Sequence, residues 1–155
     1  MLRAASLIVV FASTSLAQVP TALDAFKSLK GTWTIVSGDK TLPFKMTYDL
    51  ASKDSVVTEY FGKELSAFYQ DKDALLMTHF CNAGNQPRLK LSKTDNAKSF
   101  EFEMMDITNV KDERNEPHVQ RIIYKITAPD QLELKIVWRK GKEEESENYV
   151  LTRDK

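Results

Sequence analysis

The stretch RIIYKITAPDQLELKI, residues 121–136, decides the fold class of this protein. Its apolar residues alternate with polar ones on both sides of Pro129-Asp130, which is a turn signal. A period of two places successive side chains on opposite faces of a strand, so each half of the stretch predicts a half-buried β-strand. Because the connection is short, the two strands are predicted to form an antiparallel hairpin.

The same alternation continues over most of the chain. Ten short segments of this kind are separated by turn signals, among them Gly38-Asp39, Gly62-Lys63 and Lys140-Gly141. Ten strands in about 120 residues predict an all-β fold, an antiparallel up-and-down β-barrel of about 8–10 strands, because closure removes exposed sheet edges. A two-sheet sandwich is the alternative.

A short helix is predicted in front of the first strand. Leu23, Phe26 and Leu29 are spaced three residues apart on one helical face, and Gly31 follows as a helix terminator. The sequence contains no sign of a repeat, a low-complexity tract or a second domain. Residues 18–155 are therefore predicted to form a single domain.

The first 17 residues, MLRAASLIVVFASTSLA, have the composition of an export signal. Arg3 supplies a positive charge, an apolar run follows, and Ser15-Leu16-Ala17 is a small-x-small cleavage pattern. The apolar run is too short to cross about 30 Å of hydrocarbon. We therefore predict a signal peptide over residues 1–17. The exported mature protein, periplasmic or secreted, is expected to be soluble and without a membrane span, because no second apolar run follows.

The composition argues against several classes of protein. The 155 residues include 22 basic and 22 acidic side chains, and this balance argues against nucleic-acid binding through a large basic surface. The single cysteine, Cys81, cannot form an internal disulfide or a multi-thiolate zinc site. Five glycines and five prolines are too few for a disordered chain.

The start of the predicted domain resembles that of a known barrel superfamily. Phe26, Leu29 and Gly31-Thr32-Trp33 form the pattern F-x-x-L-x-G-T-W, which is similar to the opening of lipocalin-like barrels. These barrels belong to the calycin superfamily, which includes lipocalins and fatty-acid-binding proteins. They tend to place an arginine of the last strand against this tryptophan, and Arg153 matches that position. The resemblance implies that Arg153 stacks on Trp33 and closes the base of the barrel.

The segment THFCNAGNQPR, from Thr78 to Arg88, departs from the lipocalin pattern. Its H-x-C-x-x-G-N-Q-P-R motif, together with residues 106–109 (DITN), resembles a motif of uncharacterised exported bacterial proteins of lipocalin-like fold. This second resemblance implies no established activity.

Strand order predicts that the unusual polar residues gather at one end of the barrel. In an up-and-down barrel, odd-numbered strands end and even-numbered strands begin at the same opening. Here that opening receives the ends of the fifth, seventh and ninth strands and the starts of the sixth and eighth. The expected ligand-binding residues are His79, Cys81, Arg88, Asp106, His118, Gln120, Tyr124 and Trp138.

The period-two pattern also predicts which of these residues face the interior. Asp106 is in phase with the apolar residues that precede it in its strand. His118 and Gln120 are in phase with Tyr124. Polar groups on an apolar inner face need hydrogen-bond partners or a ligand. A purely structural alternative is that Arg88 pairs with Asp106 and holds a hairpin together.

Three functions follow from this predicted opening. The favoured one is binding or carriage of a small hydrophobic or amphipathic molecule, with the polar residues orienting its head group. The second is a metal or haem site that uses His79 and His118, with Cys81 or Asp106 as a further ligand. The third is a small hydrolase- or isomerase-like enzyme with Cys81 as nucleophile or a His–Asp general base. The sequence assigns no cofactor and no catalytic residue.

Overall fold

The alternating segments form ten β-strands preceded by one short helix. The computed structural model describes residues 21–95 and 98–155, so the predicted signal peptide over residues 1–17 lies outside the described residues. The elements are α1 (Ala22–Lys27), β1 (Gly31–Ser37), β2 (Lys40–Ala51), β3 (Val56–Phe61), β4 (Glu64–Asp71), β5 (Ala74–Phe80), β6 (Gln86–Asp95), β7 (Ser99–Thr108), β8 (His118–Ala128), β9 (Gln131–Lys140) and β10 (Glu143–Arg153). Across the described ranges, no helix is both long enough and apolar enough to span a membrane.

Each strand pairs antiparallel with the next one along the chain, and β1 also pairs with β10. The sheet is therefore a closed barrel, in which the backbone groups that an open sheet leaves exposed at its edges are paired. The predicted all-β up-and-down barrel is confirmed, and the sandwich alternative is wrong. We call the end at which β1 begins the base. The opposite end, which carries the β3–β4, β5–β6 and β7–β8 connections, is the mouth.

The helix α1 fills the base of the barrel. Thr21 and Asp24 form a capping box, in which each side chain accepts a hydrogen bond from the other residue's backbone N–H. Leu23 and Phe26 are buried, and the ring of Phe26 stacks on Phe68 with 4.4 Å between the ring centroids. Aromatic rings from β7 and β8 also contact Phe26. The lower interior is therefore occupied by side chains.

The predicted contact between Trp33 and Arg153 is present. The two residues are opposite each other in the β1–β10 ladder, and the guanidinium carbon of Arg153 is 4.4 Å from the centre of the Trp33 ring. Trp33 Nε1 donates to the carbonyl oxygen of Leu29 at 2.9 Å. The Arg153 guanidinium donates to the carbonyl oxygens of Ser28 at 2.7 Å and Pro129 at 3.3 Å. These contacts join the end of α1 to both strands that close the barrel.

A β-bulge near the mouth changes which side chains of β7 face inward. Leu89 of β6 is opposite Met104 of β7. The next pair joins Arg88 to Asp106, so Met105 has no partner in the ladder. An extra residue in one strand reverses the in–out order of the side chains beyond it. A second bulge of this kind lies in β8, opposite β9.

Candidate functional site

A row of polar side chains crosses the inner face of four neighbouring strands. Ladder pairing places Tyr48 of β2 opposite Glu59 of β3. Ser66 of β4 is opposite both Glu59 on one side and His79 of β5 on the other. All four side chains are buried. Because residues directly opposite on antiparallel strands have Cβ atoms about 4.5–5.5 Å apart, the row is continuous from β2 to β5.

A cluster of three side chains lies where β4 begins and β5 ends, at the mouth. We call Glu64, His79 and Cys81 the mouth cluster, because one ligand atom from each lies within 4.8 Å of the others. His79 Nε2 is 4.0 Å from Glu64 Oε2, and Cys81 Sγ is 3.7 Å from Glu64 Oε1. The backbone N–H of Asn82 donates to the same Oε1 atom at 3.0 Å, which holds the carboxylate in place.

The two imidazole nitrogens of His79 have different surroundings. Nδ1 is 3.0 Å from the hydroxyl oxygen of Ser66, whereas Nε2 has no hydrogen-bond partner among the described residues. The side chain is only 4% exposed, and burial lowers the pKa of His79 from 6.5 to about 4. The imidazole is therefore neutral near pH 7. With its proton on Nδ1, a neutral imidazole presents a lone pair at Nε2.

The surroundings of Cys81 keep its thiol protonated. Burial raises the pKa of Cys81 to about 11. The backbone N–H of Ala83 opposes this by donating to Sγ at 3.3 Å, and the Glu64 carboxylate raises the pKa further. A nucleophilic cysteine needs a lowered pKa, which a neighbouring cation or helix N-terminus supplies. The geometry therefore does not favour the hypothesis that Cys81 is an activated nucleophile.

Glu59 supplies the carboxyl group of the polar row, and its side chain is buried. Tyr124 donates a hydrogen bond from its hydroxyl to Glu59 Oε1 at 3.1 Å. Burial raises the pKa of Glu59, while the hydroxyls of Tyr48, Tyr124 and Ser66 partly oppose the shift. Glu59 Oε2 and Tyr48 Oη have no hydrogen bond of acceptable geometry among the described residues. The centre of the barrel is thus polar on one side and contains unsatisfied groups.

A depression at the mouth is lined in part by Glu64 of the mouth cluster. It encloses about 470 Å³, and we call it the rim pocket; its lining residues are Phe44, Phe61, Gly62, Lys63, Glu64 and Asn82. The rings of Phe44 and Phe61 meet edge to face with 5.3 Å between centroids, and Phe44 is 38% exposed. Glu64 belongs both to the rim pocket and to the mouth cluster. The rim pocket and the mouth cluster are therefore adjacent.

His79 and Cys81 lie where strand order predicts them, at the mouth and buried. The prediction that Asp106 faces the interior is wrong, because the bulge at Met105 turns it outward. Asp106 instead forms a surface ion pair with Arg88, in which Arg88 Nε donates to Asp106 Oδ1 at 2.6 Å. The Asp106 side chain is 42% exposed and the Arg88 side chain is 52% exposed. This is the structural alternative for the pair, and it holds the β6–β7 hairpin together.

The bulge in β8 changes the phase of His118 relative to the rest of the strand. The ladder passes from Val119 directly to Arg121, which leaves Gln120 as the extra residue, and Val119 belongs to the buried hydrophobic core. Because successive side chains of a strand alternate between its faces, His118 lies on the opposite face from Val119. The predicted common phase of His118 and Gln120 with Tyr124 is therefore wrong for His118. The Oε1 atom of Gln120 is buried without a hydrogen-bond partner among the described residues.

His118 is fully buried beneath the β7–β8 connection, where its Nδ1 is 3.0 Å from the Glu116 carbonyl oxygen. It lines a separate depression with residues of that connection and of the β9–β10 turn. His118 is not among the ligand atoms that gather within 4.8 Å of one another around His79. The structure therefore does not bring the two histidines together as one set of metal ligands.

Tyr124 and Trp138 occupy other parts of the predicted site. Tyr124 faces the interior, as predicted, but deeper in the barrel, where it donates to Glu59. Trp138 is partly buried near the mouth, and its indole N–H donates to Glu147 Oε2 at 3.3 Å. Neither residue lines the rim pocket.

Sequence reasoning missed the two acidic residues of the site. Glu59 is two residues from the buried Val57 on the same face of β3, and Glu64 is two residues from Ser66 on the same face of β4. A carboxylate in phase with inward-facing residues is the signal that would have found both. Glu59 lies within residues 55–61, which read as β-rich, and Glu64 directly precedes the β-rich residues 65–70, but the sequence pattern did not assign the faces of either segment.

Comparisons with known proteins add information about the fold alone. No protein-family model matches the sequence, and no curated protein matches it. The structure is similar to the crystal structure of Rv2717c from M. tuberculosis, with a TM-score of 0.52 and 16% sequence identity over 89% of this chain and 100% of that chain. At this level of identity the likeness shows a shared ten-strand antiparallel barrel and nothing about a ligand.

Proposed function

We propose that this protein is exported and binds a small amphipathic molecule in the rim pocket. The observation that carries the proposal is the composition of that pocket, in which the exposed ring of Phe44 and the half-buried ring of Phe61 lie beside the polar side chains of Lys63, Glu64 and Asn82. A volume of about 470 Å³ lies within the range of about 300–1,000 Å³ typical of small-molecule sites. An apolar wall with a few convergent polar groups is also the usual design of such sites.

Different walls of the pocket are expected to contact different parts of the ligand. An apolar group packs on the rings of Phe44 and Phe61. A hydrogen-bond donor, such as an amine or a hydroxyl group, faces the Glu64 carboxylate, because an ionised carboxylate only accepts hydrogen bonds. Of the two Glu64 oxygens, Oε1 accepts a hydrogen bond from the backbone N–H of Asn82, and Oε2 is directed toward His79.

The filled base of the barrel limits the size of the ligand. Phe26, Phe68 and Phe102 contact one another with ring centroids 4.4–5.7 Å apart, so a long acyl chain has no space between them. The proposed ligand therefore sits at the mouth and does not thread through the interior. The pattern F-x-x-L-x-G-T-W and the stacking of Arg153 on Trp33 support a relationship to lipocalin-like carriers. The sequence of residues 1–17 supports export.

Titration with N-phenyl-1-naphthylamine, a fluorescent amphipathic amine, tests this proposal. We expect the probe to bind with a fluorescence increase, and the double substitution Phe44→Ala with Phe61→Ala to weaken binding at least about tenfold, which corresponds to about 1.4 kcal/mol. Phe80→Ala is the matched control, because Phe80 is 45% exposed on β5 and does not line the pocket. Absence of probe binding, or equal weakening by the control, would show that the rim pocket is not the binding site.

A further inference from the structure

We propose that the mouth cluster is a binding site for one divalent transition-metal ion of the zinc class, held by Glu64, His79 and Cys81. The three side chains offer a carboxylate oxygen, an imidazole nitrogen and a thiolate sulfur, which are the donor types that bind zinc, cobalt(II) and related ions. This inference goes beyond the proposed function, because it concerns the wall behind the rim pocket and does not depend on the amphipathic ligand.

The donor spacing matches a tetrahedral metal centre. Metal–ligand distances of about 2.0–2.3 Å place neighbouring donors of a tetrahedral site about 3.3–3.8 Å apart. The Cys81 Sγ–Glu64 Oε1 distance is 3.7 Å, and the His79 Nε2–Glu64 Oε2 distance is 4.0 Å. The two contacts use different oxygens of one carboxylate, so a metal bound through one of them requires the Glu64 side chain to turn. The three donor atoms, which lie within 4.8 Å of one another, must then draw closer.

The unpartnered nitrogen of His79 is an independent sign of a ligand. A buried polar atom without a hydrogen bond is costly, and nearly all such atoms in folded proteins are satisfied. His79 Nε2 is buried, lacks a partner among the described residues and is directed at Glu64. Ser66 holds the other nitrogen at 3.0 Å, which is the arrangement that orients metal-binding histidines. Ser66 is therefore a positioning residue for the site.

The charge and the access of the cluster also suit a divalent cation. An ionised Glu64 and a Cys81 thiolate together carry two negative charges, which a divalent ion neutralises. Binding releases the thiol proton of Cys81 to solvent and forms the metal–sulfur bond with the electron pair left on sulfur. Three protein ligands leave a fourth position free, and Glu64 joins the cluster to the rim pocket.

Cobalt(II) is the probe that tests the site, because a cobalt–thiolate bond produces a charge-transfer absorption band in the near ultraviolet. The reduced, chelator-treated protein is titrated with cobalt(II) and then with zinc. We expect one equivalent of cobalt to bind with this band and zinc to displace it. The Cys81→Ser variant is expected to lose the band. A wild-type protein that shows no band and no stoichiometric uptake of either metal overturns the proposal.

Variants then assign the ligands. His79→Gln and Glu64→Gln are each expected to weaken cobalt binding by more than about 100-fold, because loss of an outer-shell partner alone costs about 10–100-fold. Ser66→Ala is expected to fall within that outer-shell range. His118→Gln is the matched control, since His118 is a buried histidine outside the cluster. Equal losses for His118→Gln and His79→Gln would overturn the assignment, and circular dichroism of each variant shows that it is folded.

The metal and the amphipathic probe report on separate hypotheses. Phe44→Ala with Phe61→Ala removes the apolar wall of the rim pocket and is expected to leave cobalt affinity unchanged. His79→Gln is expected to leave binding of N-phenyl-1-naphthylamine within about twofold of wild type, because the apolar wall supplies most of its binding free energy. Failure of one titration therefore does not decide the other.

Discussion

At the scale of single residues, the buried carboxyl groups of Glu59 and Glu64 make this barrel interior different from a purely apolar core. Glu59 accepts a hydrogen bond from Tyr124, and Glu64 accepts one from the backbone N–H of Asn82. A buried carboxylate is costly unless it is paired or hydrogen-bonded. Glu59 Oε2 has no hydrogen-bond partner among the described residues. This combination is what points to a binding function for this side of the barrel.

The pH dependence of stability is expected to reveal Glu59. Burial raises the pKa of Glu59 in the folded protein above its ordinary value of 4.5, so the folded state holds this proton more tightly than the unfolded chain. The resulting stabilisation is complete below the unfolded pKa and is lost as the pH rises through the folded pKa. Glu59→Gln removes this dependence and keeps an oxygen that accepts the Tyr124 hydrogen bond. The stability of the wild type relative to Glu59→Gln is therefore expected to fall as the pH rises above 4.5.

Urea unfolding of both proteins at a series of pH values measures this difference. Glu103→Gln is the control, because Glu103 is exposed on β7. The comparison cancels the contributions of other titrating groups, such as His79. A difference between wild type and Glu59→Gln that does not change with pH would contradict the prediction, as would the same pH dependence in the control.

At the scale of elements, α1 and the β-bulges determine what the interior can hold. The six residues of α1 are too few for a stable isolated helix, so tertiary packing stabilises it. Phe26 provides much of that packing through its contacts with Phe68 and Tyr124. The bulges lie at the mouth of the barrel, where the bulge in β7 turns Asp106 outward. Glu64, His79 and Cys81 then form the group of potential metal ligands at this end.

Removal of the Phe26 ring is expected to destabilise the whole barrel. Phe26→Ala leaves a cavity among four aromatic neighbours, and such truncations typically cost about 3–5 kcal/mol. Urea unfolding gives the change in the free energy of unfolding. Phe80→Ala removes the same group from an exposed position and is expected to change stability by less than about 0.5 kcal/mol. Similar costs for the two variants would mean that Phe26 does not hold the base together.

At the scale of the whole molecule, closure of the barrel depends on the contact between its first and last strands. The β1–β10 ladder runs from Trp33 opposite Arg153 to Val36 opposite Val150. It is the only ladder in the described residues that joins strands distant in sequence, so it carries a larger loop-closure cost than the hairpins. Arg153 strengthens this ladder by stacking on Trp33 and by donating to carbonyl oxygens at the end of α1.

Truncation of this arginine is expected to weaken closure. Arg153→Ala removes the cation–π contact and the charge-assisted hydrogen bonds, and we expect a loss of about 2–3 kcal/mol. Hydrogen exchange is expected to rise first in the amides of β1 and β10, which distinguishes opening of this ladder from global unfolding. Arg139→Ala is the control, because Arg139 pairs with Glu144 on the surface and such pairs contribute about 0–1 kcal/mol. Uniform exchange across all strands would contradict a specific role in closure.

Local sequence patterns determined the architecture of this protein. The resemblance carried by the F-x-x-L-x-G-T-W pattern implied the Trp33–Arg153 contact. Period-two alternation, short turns and strand parity predicted the ten-strand barrel and the position of His79 and Cys81 at one end, and the three-residue spacing of apolar side chains predicted the helix at the base. These features depend on neighbouring residues, whose geometry is set by the pleat of a strand.

Only the tertiary structure decided which polar side chains meet. A bulge depends on the pairing between two strands, so the outward turn of Asp106 and the separate burial of His118 could not be obtained from either strand alone. The meeting of Glu64 with His79 and Cys81 depends on the register between β4 and β5, which the packing of the closed barrel establishes. A shift of one residue in that register would place Glu64 on the opposite face from the cluster, and this is why the candidate site became visible only in the folded molecule.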